Sequence, residues 1–64
     1  MTMTKQTRMA AWAAKKADAV RRQLDALPRT ENWRERARVA ATRDRLLREE
    51  SRLRALADSY RDAA

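Results

Sequence analysis

Pro28 is the single proline of a chain that has no glycine at all. Those two residue types are the ones that most strongly interrupt helices. Everything else is rich in good helix formers: Ala, Arg, Glu, Gln, Leu, Met and Lys. One interruption in a helix-forming chain predicts two helices. No run alternates β-branched with polar residues, so no strand is expected. Pro28 disfavours helical geometry at Leu27, which predicts helix 1 over about 4–27, a turn at 28–30 and helix 2 over about 31–61. Thr30 or Asn32 can cap the second helix, and Asn32 with Glu35 has the spacing of a capping box. So short a connection favours an antiparallel pair. The predicted class is an all-α, antiparallel two-helix hairpin, with residues 1–64 as a single unit.

Helix 1 has a seam at Ala10, Ala13, Ala17, Val20, Leu24 and Leu27, alternately three and four residues apart. In helix 2 Val39, Leu46, Leu53 and Tyr60 recur every seven residues and are joined by Thr42, Glu49 and Leu56. Small residues on one helix facing large ones on the other allow close approach. The core is nevertheless thin. Of 28 apolar residues fourteen are Ala, six Leu and two Val. A chain of 64 residues rarely builds a self-sufficient core. Without Cys or His it has neither disulfides nor the usual metal ligands. Helix packing and self-association remain. Helix 2 carries a second, weaker stripe at Trp33, Ala37, Ala40 and Leu47, away from its seam. A second copy could cover it, which predicts a homodimer forming a four-helix bundle. Otherwise Trp33 folds back onto Leu27.

The net charge is +7 and the isoelectric point near 11.3. Arg34, Arg38, Arg45, Arg48 and Arg52 form a row on one flank of the helix 2 seam, and Arg36, Arg43, Arg54 and Arg61 form an edge on the other. Helix 1 has its own row: Lys5, Arg8, Trp12, Lys15, Ala19 and Arg22. Solvated helices often look like this, and Asp44–Arg48, Arg45–Glu49, Glu50–Arg54 and Arg54–Asp58 have pairing distance along a helix. Each such pair contributes about 0.2–0.5 kcal/mol. Three features favour a binding face instead. Lys5 and Arg8 have no acid three or four residues away. Arginine outnumbers lysine thirteen to three, and arginine grips phosphate in a bidentate way that lysine cannot. Trp12 interrupts a basic row, where an aromatic can stack on a base or cover the bundle edge. The candidate nucleic-acid-binding residues are therefore Lys5, Arg8, Trp12, Lys15, Arg22, Arg34, Arg38 and Arg45. The expected function is a small, non-enzymatic, dimeric accessory or regulatory factor of plasmid or phage type. It holds nucleic acid, DNA before RNA, by the phosphate backbone.

The catalytic inventory is empty. No His or Cys can serve as base or nucleophile, and Ser51 and Ser59 lack a base partner. Without glycine no phosphate-cradling loop of the P-loop or dinucleotide type is possible. No catalytic residues, metal, cofactor or small-molecule substrate are expected. Helix-turn-helix, zinc-finger and basic-zipper patterns are also missing, so contacts would come from the outer faces of helices. No apolar run approaches a membrane span or a signal peptide, and a soluble, cytoplasmic protein is expected. Alanine-rich apolar faces suit membrane-surface insertion poorly. The alternative is a protein-interaction module, an adaptor or inhibitor docking by its apolar seams.

In length and in "MTKQ" at Met3–Gln6 the chain resembles the plasmid repressor-of-primer family. That resemblance implies a small helical hairpin, paired into a four-helix bundle, that binds paired RNA hairpins. Aligned from "MTKQ", the chain keeps only Lys5 of the family's contact positions. The others fall on Trp12, Lys16, Val20 and Leu27, so the likeness extends to size and shape and no site is transferred.

Overall fold

The computed structural model describes residues 4–63, so Met3 of "MTKQ" and the two ends of the 1–64 unit lie outside it. The described chain is two helices, α1 (Lys5–Asp25) and α2 (Trp33–Ala63), packed as a hairpin. Asp18 meets Arg54 while Arg21 meets Glu50, so numbering falls along α2 as it rises along α1. The helices are antiparallel. Thr4 caps α1, its hydroxyl accepting the Thr7 N–H at 3.1 Å.

The connection spans 26–32, longer than the predicted turn at 28–30. α1 stops at Asp25, not Leu27: the Ala26 N–H still bonds the Arg22 carbonyl, but the Leu27 N–H reaches only three back, to Leu24. The constraint before proline is felt one residue earlier than the position it acts on. α2 starts at Trp33 because Asn32 is its cap. The Asn32 Oδ1 accepts from the N–H groups of Arg34, at 2.9 Å, and Glu35, at 3.4 Å. Glu35 does not return to the Asn32 N–H as a simple capping box would. Thr30 stands between them. Its hydroxyl accepts from the Asn32 N–H at 3.2 Å and donates to Glu35 Oε2 at 2.7 Å. Both candidate caps are thus used in a single relay. At its other end α2 continues to Ala63, past the expected 61.

In α1 every residue of the predicted seam from Ala10 to Leu24 is buried, and Ala13 and Ala17 are fully enclosed. Val20, Leu24 and Leu46 form the centre of the core, with Leu27 and Leu53 packed against them. The α2 seam drifts from the seven-residue repeat. Glu49 is exposed, and Glu50 lies between the helices instead; Ala57 is buried at 2 % while Leu56 is only half-buried. An α-helix turns every 3.6 residues, so a strict seven-residue repeat slides about 20° per heptad across a straight neighbour.

α2 is 31 residues long and α1 only 21. Leu24, one residue from the end of α1, packs with Leu46. The stretch of α2 before Leu46 therefore projects beyond α1 and has only the connection beside it. The result is a thin rod, 53 × 17 × 10 Å.

Glu50 organises one edge of this rod. Its side chain is 13 % exposed and accepts from Arg54 at 3.0 Å, with Arg21 at 3.7 Å. Arg54 also reaches Asp18 at 3.4 Å, and Arg21 reaches Asp25 at 3.4 Å. Two acids and an arginine of α1 are thereby laced to two residues of α2. The hydrogen bond to Glu50 is the main reason the Arg54 guanidinium is held above its ordinary pKa, so the basic partner stays charged at any working pH. Exposed pairs singly contribute little, and geometry shared by several charges contributes more. Glu50→Gln keeps the volume and removes the charge. We expect it to lower the thermal midpoint by a few degrees in low salt. The gap from the parent should close in about 1 M salt, where the Debye length falls to about 3 Å. A gap that persists there would mean Glu50 acts by packing alone.

Candidate nucleic-acid interface

All eight predicted contact residues are exposed. Among the described residues, none of their seven cationic side chains lies within 4.0 Å of an acid. The hairpin's ion pairs use four other basic residues, Arg21, Arg48, Arg54 and Arg61. The remaining twelve of the sixteen have no ion-pair partner among the described residues. Pairing along α2 differs from the sequence reading in two places. Arg54 turns to Glu50 and Asp18, leaving Asp58 to Arg61 at 3.4 Å, and Arg45 makes no pair with Glu49. The Asp44–Arg48 and Glu50–Arg54 pairs form as expected.

The two edges of the rod are electrically unlike. One holds the Asp18–Arg54–Glu50–Arg21–Asp25 lacing and is neutralised from within. On the other, a shallow groove between the helices is lined by Trp12, Lys16, Ala19, Val20, Gln23, Glu49 and Leu53. Glu49 also borders a depression with Arg45, Arg48 and Arg52. The flank of α2 that carries Arg45 therefore faces the same way as Trp12 and Lys16 of α1. Lys16 and Arg52 belong to this edge but stand outside the eight. Periodicity places a residue on its own helix, whereas the edge is shared by two helices.

Antiparallel packing separates the predicted residues along the rod. Lys5, Arg8 and Trp12 lie toward the end where Lys5, Gln6 and Met9 border Tyr60. Arg34 and Arg38 lie on the projecting start of α2. Arg22 and Arg45 lie between. The eight form an extended track, not a compact cluster. Lys5 to Arg22 alone spans about 25 Å at 1.5 Å per residue.

The two tryptophans differ. Trp12 is 46 % exposed, partly packed in the groove. Trp33 is 72 % exposed and is not folded onto Leu27, which packs in the core. The guanidinium of Arg34 sits over the Trp33 ring, 5.2 Å from its centre, a contact of about 0.5–1 kcal/mol at an exposed position. The stack restrains Arg34 against the Trp33 ring.

A third basic group is only partly marked by periodicity. Arg29 of the connection and Arg36 and Arg43 of α2 border one depression with Pro28, Thr30, Val39 and Ala40. Arg36 and Arg43 are seven apart, which is visible in sequence, but the fold of the connection is what adds Arg29.

Among the described residues no group of three or more His, Cys, Asp or Glu could hold a metal ion. No described helix is long and apolar enough to cross a membrane. Comparison with protein-family models, curated proteins and solved structures gives no match.

Proposed function

We propose that this chain is a small, non-enzymatic, cytoplasmic protein that binds nucleic acid through arginine-rich helix faces. Duplex DNA is favoured over RNA, and the role is accessory or regulatory, of plasmid or phage type. The observation that carries the reading is the division of labour among the basic side chains. Among the described residues the fold employs four in ion pairs and leaves the other twelve exposed with no acid in pairing distance. Uncompensated arginine along a 53 Å rod suits a linear polyanion. At 3.4 Å per base pair that length matches about fifteen base pairs. Helix faces without a reading head contact backbone more than base edges. If five to eight phosphates are neutralised, log affinity falls against log salt with a slope of about −4 to −7. Fluorescence anisotropy with a labelled duplex and a structured RNA, from 50 to 300 mM salt, measures it. No binding to either at 50 mM would remove the reading.

The proposal includes a homodimer forming a four-helix bundle. Support comes from Trp33, 72 % exposed, and Leu47, 43 % exposed, on the outer side of α2 with Ala37 and Ala40. A dimer through this stripe would double the charge of +7 and leave the α1 row outward. Sedimentation should give a dimer for the parent chain and a monomer for the Trp33→Ala, Leu47→Ala pair. The same stripe favours the second reading, an adaptor or inhibitor. A parent chain that sediments as a monomer and binds no nucleic acid would support it.

A further inference from the structure

We infer that Arg29, Arg36 and Arg43 form a discrete phosphate-binding site at the turn end of the rod, separate from the track of eight residues. Three arginines border one depression of about 350 Å³. No acid lines it. Glu35, the nearest acid in sequence to Arg36, accepts from the Thr30 hydroxyl at 2.7 Å at the rim and makes no ion pair with the three arginines. None of the three arginines has an acidic partner among the described residues. Like charges gathered without a counter-ion repel one another, and an anion bound between them reverses the sign of that energy.

The position of Arg29 is what makes this a site. An arginine in a loose loop would lose much conformational freedom on binding. Arg29 lies between Pro28, whose ring fixes its backbone angle, and Thr30, which is bonded to both Asn32 and Glu35. Arg36 and Arg43 are two turns apart on α2 and rise on the same side of it. Val39 and Pro28 supply an apolar floor between them. The chemistry that fits is a phosphodiester: oxygens forked by the guanidiniums, and the sugar against Val39 and Pro28. The inference deepens the nucleic-acid reading and uses a place where α2 projects beyond α1 and the backbone of a duplex can approach.

The test reads the arginine side chains directly. Nε–Hε resonances of the parent chain are followed by NMR during titration with inorganic phosphate, and separately with a short duplex. With phosphate, the shifts of Arg29, Arg36 and Arg43 should saturate together and exceed those of Arg8, Arg22 and Arg45 several-fold. Arg36→Gln with Arg43→Gln should abolish the saturation at Arg29 and make the duplex salt slope shallower by about two. Helix content by circular dichroism checks that the variant is folded, and Arg29→Gln, in the connection, gives the same answer without touching a helix. Equal, non-saturating shifts at all arginines would overturn the site even if the duplex binds. Saturation at the three with no duplex binding would instead retain the site and reject the nucleic-acid function.

Discussion

Leu46→Ala should abolish the cooperative thermal unfolding of this protein, whereas Leu47→Ala should not. Leu46 is 4 % exposed and is the only large side chain of α2 buried among the described residues; its neighbour Leu47 is 43 % exposed. Leu46 holds Val20 and Leu24 in the core. Truncating a buried leucine costs about 2–5 kcal/mol, part transfer and part cavity. A domain of this size holds only about 3–10 kcal/mol in total at 0.05–0.15 kcal/mol per residue, and a core made largely of alanine puts this one low in that range. One side chain is therefore comparable with the whole. The expected result by circular dichroism is a broad, non-cooperative melt and reduced helix signal for Leu46→Ala. Leu47→Ala should keep a cooperative melt and change only in its dilution dependence, since in the proposed dimer a second copy covers it. A cooperative melt for Leu46→Ala, within a few degrees of the parent, would mean that the core lies elsewhere.

The contrast between those neighbours shows what is legible in the sequence. The α1 seam can be read because its apolar positions are unambiguous from Ala10 to Leu24 and every one is buried. α2 is less legible because its seam contains charge. A seven-residue template picks Glu49, and the helical turn brings in Glu50, an acid that is then neutralised by Arg21 and Arg54. Register against a partner decides between adjacent acids, and a single sequence carries no register. The relay through Thr30 is half legible for a similar reason. Both caps are visible in the sequence, but only the path of the connection joins them. The basic rows are legible as rows, because each belongs to one helix. Which rows share an edge depends on the other helix. The pairs of Arg48 with Asp44 and of Arg54 with Glu50 follow from spacing on α2 alone, but the reach of Arg54 to Asp18 needs α1 beside it, and periodicity misses Lys16 and Arg29.

Reversing two unpaired cations of α1 should weaken nucleic-acid binding far more than reversing two paired cations of α2. Arg8→Glu with Arg22→Glu, and Arg48→Glu with Arg61→Glu, each lower the net charge from +7 to +3, so bulk attraction changes equally. The local states differ. Arg8 and Arg22 are exposed with no acidic partner among the described residues, and 14 residues of helix set them about 21 Å apart. Arg48 and Arg61 are bound to Asp44 and Asp58 on their own helix. A phosphate must compete with those acids, so their reversal has little effect on binding, and the helix loses about 0.4–1 kcal/mol per pair, the lost attraction plus a like-charge repulsion of similar size. Each phosphate that is no longer neutralised takes about 0.9 from the magnitude of the log–log salt slope. The Arg8, Arg22 variant should therefore have a slope shallower by about two, with affinity down at least tenfold at 50 mM salt. The Arg48, Arg61 variant should show less than half of either change. Identical slopes and affinities for the two variants would mean that the charge acts as an undirected cloud. The rows would then be solvated faces of a helical hairpin, and its specific surface would have to be sought on the Trp33 side of α2.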